Sequence, residues 1–124
     1  MKSISQEYDT FVKHLIILSY SKEKQLNLIG SGEENVAGEI AINFGISYVY
    51  IEDFYNSEII NSHQKTTIEN FYNFINDSND GYIDSEAWNT IRDRANNVLN
   101  ILDISNFIVE LNNSGKFCET KLNK

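Results

Sequence analysis

Two stretches of this 124-residue sequence combine residue types and spacings that could do chemistry. The first is Asn76-Asp77-Ser78-Asn79-Asp80-Gly81-Tyr82-Ile83-Asp84-Ser85-Glu86-Ala87. It places oxygen donors at Asn76, Ser78 and Asp80, a turn glycine at Gly81, an apolar Ile83 and a further acid at Asp84, in the order of an EF-hand calcium loop. Its last position is Ala87, where such a loop supplies a bidentate glutamate, and Glu86 stands one residue too early. A degenerate calcium-binding module is one reading, and a capped, Asx-rich turn between helices is the other. The second stretch, Gly30-Ser31-Gly32, has the glycines of a phosphate loop but no lysine after them, and Glu33 and Glu34 would occupy the helix N-terminus that a phosphate needs. A helix break is the better reading.

Catalytic chemistry finds less support. His14 and His63 are the only histidines, the first on a helix flank among apolar neighbours and the second in a polar connector. No HExxH or GxSxG element and no clustered His/Cys spacing occurs, and no nucleophile–base pair is visible in the sequence. Glu52 and Asp53 could exchange protons in principle, but without a partner group they read as part of an exposed acidic face. No catalytic residue, metal ligand or cofactor is assigned, and the chain is expected not to be an enzyme. Cys118 stands alone and cannot close an internal disulfide, which suits a reducing compartment.

The elements that would position these residues are helical. There is no proline, so nothing forces the backbone out of a helix. Ser3 with Gln6 has the spacing of a capping box, and Ile4, Tyr8, Phe11, Val12, Leu15 and Ile16 form an apolar stripe to Ser19. A shorter helix capped by Ser21 runs to Ile29. A third begins at Glu33 and Glu34, carries Val36, Ile40 and Phe44, and ends at Gly45, with Gly38 allowing close helix packing. Residues 46–51 are β-branched and aromatic and fit either a short extended segment or a helical stripe, the helix being preferred because no second strand is at hand. Asn61 to Lys65 reads as a connector, and Thr66 with Glu69 as a second capping box for a helix bearing Ile68, Phe71, Tyr72 and Ile75. Trp88, Ile91, Ala95, Val98, Leu99 and Leu102 mark a helix from about Ser85 to Asp103, which Ile104, Phe107, Ile108 and Leu111 would extend. Residues 116–124 read as a loose tail. The expectation is one all-α domain spanning 1–124, a bundle of about six helices.

Composition limits the partners. At 41% hydrophobic and 12% aromatic the chain can fill a core, and its length needs no metal or disulfide staple. Ten basic residues against 18 acidic ones give a net charge of −8, which repels nucleic acid and anionic lipid. With no apolar run long enough for a signal peptide or a membrane span, a cytoplasmic, monomeric protein is expected. The imbalance is concentrated: residues 25–91 hold eleven acids against Lys65 alone, while each end of the chain is close to neutral. A solvated, solubilising face is the bland account. Inside that block, however, tyrosines interleave with carboxylates in Tyr48-Val49-Tyr50-Ile51-Glu52-Asp53-Phe54-Tyr55. Tyrosine gives large contact area at small entropic cost, and neighbouring acids steer a basic partner inward. Candidate partner-binding residues are therefore Glu33, Glu34, Glu39, Tyr48, Tyr50, Glu52, Asp53, Tyr55 and Glu58.

The run Gly32-Glu33-Glu34-Asn35-Val36-Ala37-Gly38-Glu39-Ile40, leading into Gly45-Ile46-Ser47-Tyr48-Val49-Tyr50, resembles immunity proteins of the contact-dependent growth inhibition systems. Within that group it is most similar to those guarding against EndoU-type RNase toxins, over the first half of the chain. The resemblance implies a stoichiometric cytoplasmic inhibitor of a cognate toxin domain. A basic nuclease site, built to hold phosphates, is what such an acidic surface would cover. An acidic protein–protein adaptor is the competing expectation.

Overall fold

Residues 3–29, 33–102, 107–111 and 117–122 are described in a computed structural model of the chain. Among the described residues the protein is an all-α bundle of six helices: α1 (Ile4–Ser19), α2 (Lys22–Ile29), α3 (Glu33–Tyr48), α4 (Ile51–Asn56), α5 (Ser62–Ser78) and α6 (Glu86–Ile101). Helix α1 starts where the sequence predicts. The Ser3 hydroxyl accepts from the Gln6 amide at 3.2 Å, and the Gln6 side chain accepts from the Ser3 amide at 2.8 Å. Two of the amides left over at the helix start are thereby satisfied. Past its first turns α1 buries Phe11, Val12, Leu15, Ile16, Ile17 and Leu18, more than one face can hold. It is accordingly the central helix, lying against α3 and α6 and touching α4.

An aromatic cluster joins these helices. The Phe11 ring lies 5.3 Å from Phe44 of α3 and 5.5 Å from Phe54 of α4, and Phe44 meets Phe71 of α5 edge-on at 5.5 Å. Each such ring, fully buried, contributes roughly 1.5–3 kcal/mol of transfer free energy plus a smaller geometric term. Polar links complete the joints. Gln25 is wholly buried and donates from Nε2 to the carbonyls of Ile17 and Leu18, at 2.9 and 3.2 Å, near the end of α1. Its Oε1 accepts from Arg92 Nε of α6 at 2.9 Å; the guanidinium also donates to the Ile83 carbonyl and, at 2.9 Å, to Asn89. Among the described residues no carboxylate bonds Arg92, and burial lowers its pKa from the usual value, partly opposed by Glu23 and Asp84.

Several boundaries differ from expectation. Helix α3 does not end at Gly45 but runs three residues further, and 46–51 contains no strand: it is the end of α3, a turn at Val49 and Tyr50, and the first residue of α4. The capping box of α5 is Asn61 with Gln64, at 2.8 and 2.7 Å, instead of Thr66 with Glu69, so the expected connector supplies the first helical turn. The Gln64 amide also donates to the Ile101 carbonyl at 3.0 Å, which ties the start of α5 to the end of α6. A Cβ at Gly38 would meet nothing within 4 Å among the described residues, so no close helix packing requires glycine there. At the C-terminal end, the expected helical extension is replaced by strand β1 (Phe107–Leu111), beside α1, and the expected loose tail contains strand β2 (Phe117–Leu122). The two pair antiparallel, Phe107 opposite Leu122 and Val109 opposite Thr120, with an irregularity between Val109 and Leu111. The expected helix break at residues 30–32 and the expected helix end at Asp103 lie outside the described residues.

Candidate functional site

The tyrosine–carboxylate segment folds around α4. This helix is six residues long and buries only Ile51 and Phe54, so Glu52, Asp53 and Tyr55 are left facing solvent. Both acids sit in the first turn, where the helix dipole favours negative charge. The end of α4 closes on a two-bond motif. The Glu58 amide donates to the Tyr55 carbonyl at 3.1 Å and the Ile59 amide to the Phe54 carbonyl at 3.0 Å. This is the Schellman arrangement, and its left-handed position belongs to Glu58, with φ 63° where glycine is customary. Past that turn lies an open cavity of about 710 Å³, bordered by Tyr55, Glu58 and the polar residues Asn56, Asn61 and Ser62.

The rings divide between interior and surface. Tyr48 stacks on Tyr72 of α5 with centroids 3.9 Å apart and planes 4° from parallel, and Tyr50 is half-buried against Phe54. Burial, and then Glu69, raise the Tyr48 pKa, so its hydroxyl stays protonated well into the alkaline range. Tyr55 is 39% exposed. Of the three candidate tyrosines, then, only Tyr55 offers a broad ring face, and Tyr48 and Tyr50 position the backbone that carries it.

Lys65 of α5, missed at the sequence level, organises this edge. Its Nζ lies 2.8 Å from Glu52, 3.7 Å from Glu69 and 5.3 Å from the centre of the Tyr55 ring. The hydrogen bond to Glu52 is the main reason its pKa is raised. The i,i+4 spacing from Lys65 to Glu69 was visible in the sequence; the long-range contact to Glu52 was not. The fold thus gathers Tyr48, Glu52 and Tyr55 around Lys65, with Asp53 and Glu58 on the same short helix and its exit turn. Glu39 is exposed on α3, nine residues before Tyr48 and roughly 13 Å further along the axis, outside this cluster. Glu33 and Glu34 open α3, and their side chains lie outside what is described.

In the calcium-like loop the side-chain oxygens of Asn79 and Asp80 bond within the turn and to Trp88. Asn79 Oδ1 accepts from the Gly81 amide at 3.0 Å and from Trp88 Nε1 at 2.8 Å, and Asp80 Oδ1 accepts from the Tyr82 amide and the Ser85 hydroxyl, both at 3.0 Å. Asp84 lies 3.8 Å from Lys22. Among the described residues no three His, Cys, Asp or Glu side chains gather to hold a metal ion. One chemically suggestive pair was not legible in the sequence: His14 Nδ1 lies 2.7 Å from Ser47 Oγ. A serine beside a histidine is the start of a nucleophilic site, but Ser47 is 2% exposed between α1 and α3, beyond the reach of a substrate carbonyl. The pair bridges two helices. No protein-family model, curated protein or solved structure matches the chain, and among the described residues no helix is long and apolar enough to cross a membrane.

Proposed function

We propose that this chain is a cytoplasmic immunity protein. It binds a basic nuclease toxin domain, of the RNase kind that its resemblance implies, and covers the toxin's active site with the acidic edge built on α4. The observation that carries this reading is the grouping of Glu52, Asp53, Tyr55 and Glu58 on one solvent-facing helix and its exit turn, beside a cavity with room for lysine or arginine side chains. A guanidinium entering there would meet a ring face and a carboxylate together, the pairing that arginine satisfies best. Lys65, the one cation between residues 25 and 91, is already shared by Glu52 and Glu69, so it does little to offset the remaining acids.

The test is growth and kinetics together. Cells expressing a basic RNase domain encoded beside this chain's gene are expected to recover when the chain is co-expressed, and the two proteins to form a stoichiometric complex. Association should slow steeply as salt rises, and Glu52→Lys with Asp53→Lys should slow it by about tenfold at low ionic strength. Kinetics indifferent to both salt and charge reversal would overturn the proposal.

A further inference from the structure

Helix α3 leaves an apolar face uncovered. Ile42, Ile46 and, at the first residue past the helix, Val49 follow one another at helical spacing and are 64%, 61% and 69% exposed. An ordinary surface helix turns charged and polar residues to solvent. Ile42 also borders a groove of about 420 Å³ between α3 and α5, lined on one side by Gly38, Ala41 and Gly45 and on the other by Tyr72 and Asn76. The fold does not demand a glycine at Gly38: a Cβ there would meet open space, and glycine is among the weakest helix formers. The groove stays open at the expense of helix propensity.

The chemistry of what fits is set by the rim. Glu39 stands three residues before Ile42 on the same face of α3. Glu69 stands three residues before the groove residue Tyr72 on α5, and Glu52 meets it at Lys65. Lys65, the cation nearest them, is held by those same two acids. A second copy of this chain would bring acids onto acids, and an anionic membrane would be repelled likewise. A β-strand has nothing to pair with, because the backbone amides here are spent within helices. We infer that the α3–α5 face docks an amphipathic helix of the partner, aliphatic along one stripe and flanked by lysine or arginine. This deepens the function proposed above and rests on it, naming the part of a cationic protein that the apolar face holds while the α4 edge meets its charge.

The probe is a synthetic amphipathic helix with a leucine stripe flanked by lysines, titrated into the isotope-labelled full chain and followed by NMR, with a twin in which glutamates replace the lysines. The lysine peptide is expected to shift resonances of Ile42, Ile46 and Tyr72, and the glutamate twin to leave them in place. Ile46→Asp and Gly38→Gln, one charging the ridge and the other filling the groove, should each weaken binding by about tenfold while the melting temperature is kept. Shifts confined to the Tyr55–Glu58 edge, unaltered affinity in both variants, or concentration-dependent dimerisation through this face would overturn the inference. The two proposals fail separately. If Ile46→Asp still neutralises the toxin while the Glu52→Lys, Asp53→Lys variant does not, the α3 inference falls and the function stands. Peptide docking on α3 without neutralisation of any basic nuclease gives the reverse.

Discussion

Glu58 is the one non-glycine residue with positive φ among those described, and it ends α4 in a turn that glycine would make without strain. A side chain in that conformation costs on the order of 1 kcal/mol, part of which glycine returns as unfolded-state entropy. Glu58→Gly is therefore expected to stabilise the protein by roughly 0.5–1 kcal/mol in urea unfolding, while removing a carboxylate from the cavity and, under the proposed function, weakening binding of the basic partner. Opposite signs for stability and affinity would mark a residue kept for contact. A loss of stability would show that the strain lies elsewhere. Tyr8 is a second residue whose surroundings have a measurable consequence. Burial, then Asp9, push its hydroxyl from 10.0 up to about 12, so the folded protein holds that proton more tightly than the unfolded chain does. Its contribution is intact below pH 10 and is lost as the pH climbs towards 12. Unfolding monitored across that window should show a steep alkaline loss of stability that Tyr8→Phe makes shallower, and Tyr48, shifted in the same direction, leaves a residual slope.

Between elements, the buried Gln25–Arg92 link holds α2 and α6 to the end of α1. Gln25→Ala would take the side-chain partner from the Leu18 carbonyl and the Arg92 Nε, and leave the Ile17 carbonyl with the Tyr20 amide alone, at a cost of roughly 2–4 kcal/mol. Asn61→Ala removes only an exposed cap and should cost about 1 kcal/mol, so urea midpoints for the two variants should differ clearly. Neither the link nor its importance is legible in the sequence, where Gln25 is one polar residue in a polar helix and Arg92 lies 67 positions away. What can be read is what local chemistry decides: the Ser3 box, the helix start near Ser85 and the apolar stripe of α6 each act within a turn or two of chain. The second capping box is ambiguous in the sequence because Asn61/Gln64 and Thr66/Glu69 have identical spacing, and the bond from Gln64 to Ile101 that accompanies the earlier one is long-range. Periodicity misleads at the C-terminal end for a related reason. Ile104, Phe107, Ile108 and Leu111 have helical spacing, yet Phe107–Leu111 pairs as a strand with a segment that begins at Phe117, a contact that no local pattern announces. The α4 acids and Tyr55 were legible as a surface, whereas the exposure of Ile42, Ile46 and Val49 was not, because α3 carries apolar residues around most of its circumference.

Across the whole molecule, the charge of −8 is less informative than its placement, since eleven acids and one lysine fall between residues 25 and 91. Like charges held together in a folded body repel one another more than in an expanded chain, so the free protein bears an electrostatic strain that salt relieves. The same field would draw the proposed cationic partner inward from a distance, and salt would weaken that attraction. Under the proposed function one charge distribution therefore makes two ionic-strength dependences of opposite sign: raising salt should raise the melting temperature of the free protein while it slows association with the proposed basic toxin domain. A merely solubilising acidic face would show the first trend, with association slow at every salt concentration. Stabilisation on complex formation, read as the shift in melting temperature at saturating toxin, should accordingly shrink as salt is added, because a weaker dissociation constant lowers the term by which binding protects the folded state. Glu52→Lys with Asp53→Lys should flatten both dependences at once. If it flattens only the folding curve, the acids of α4 repel each other without steering anything, and the docking edge must lie elsewhere on the acidic block.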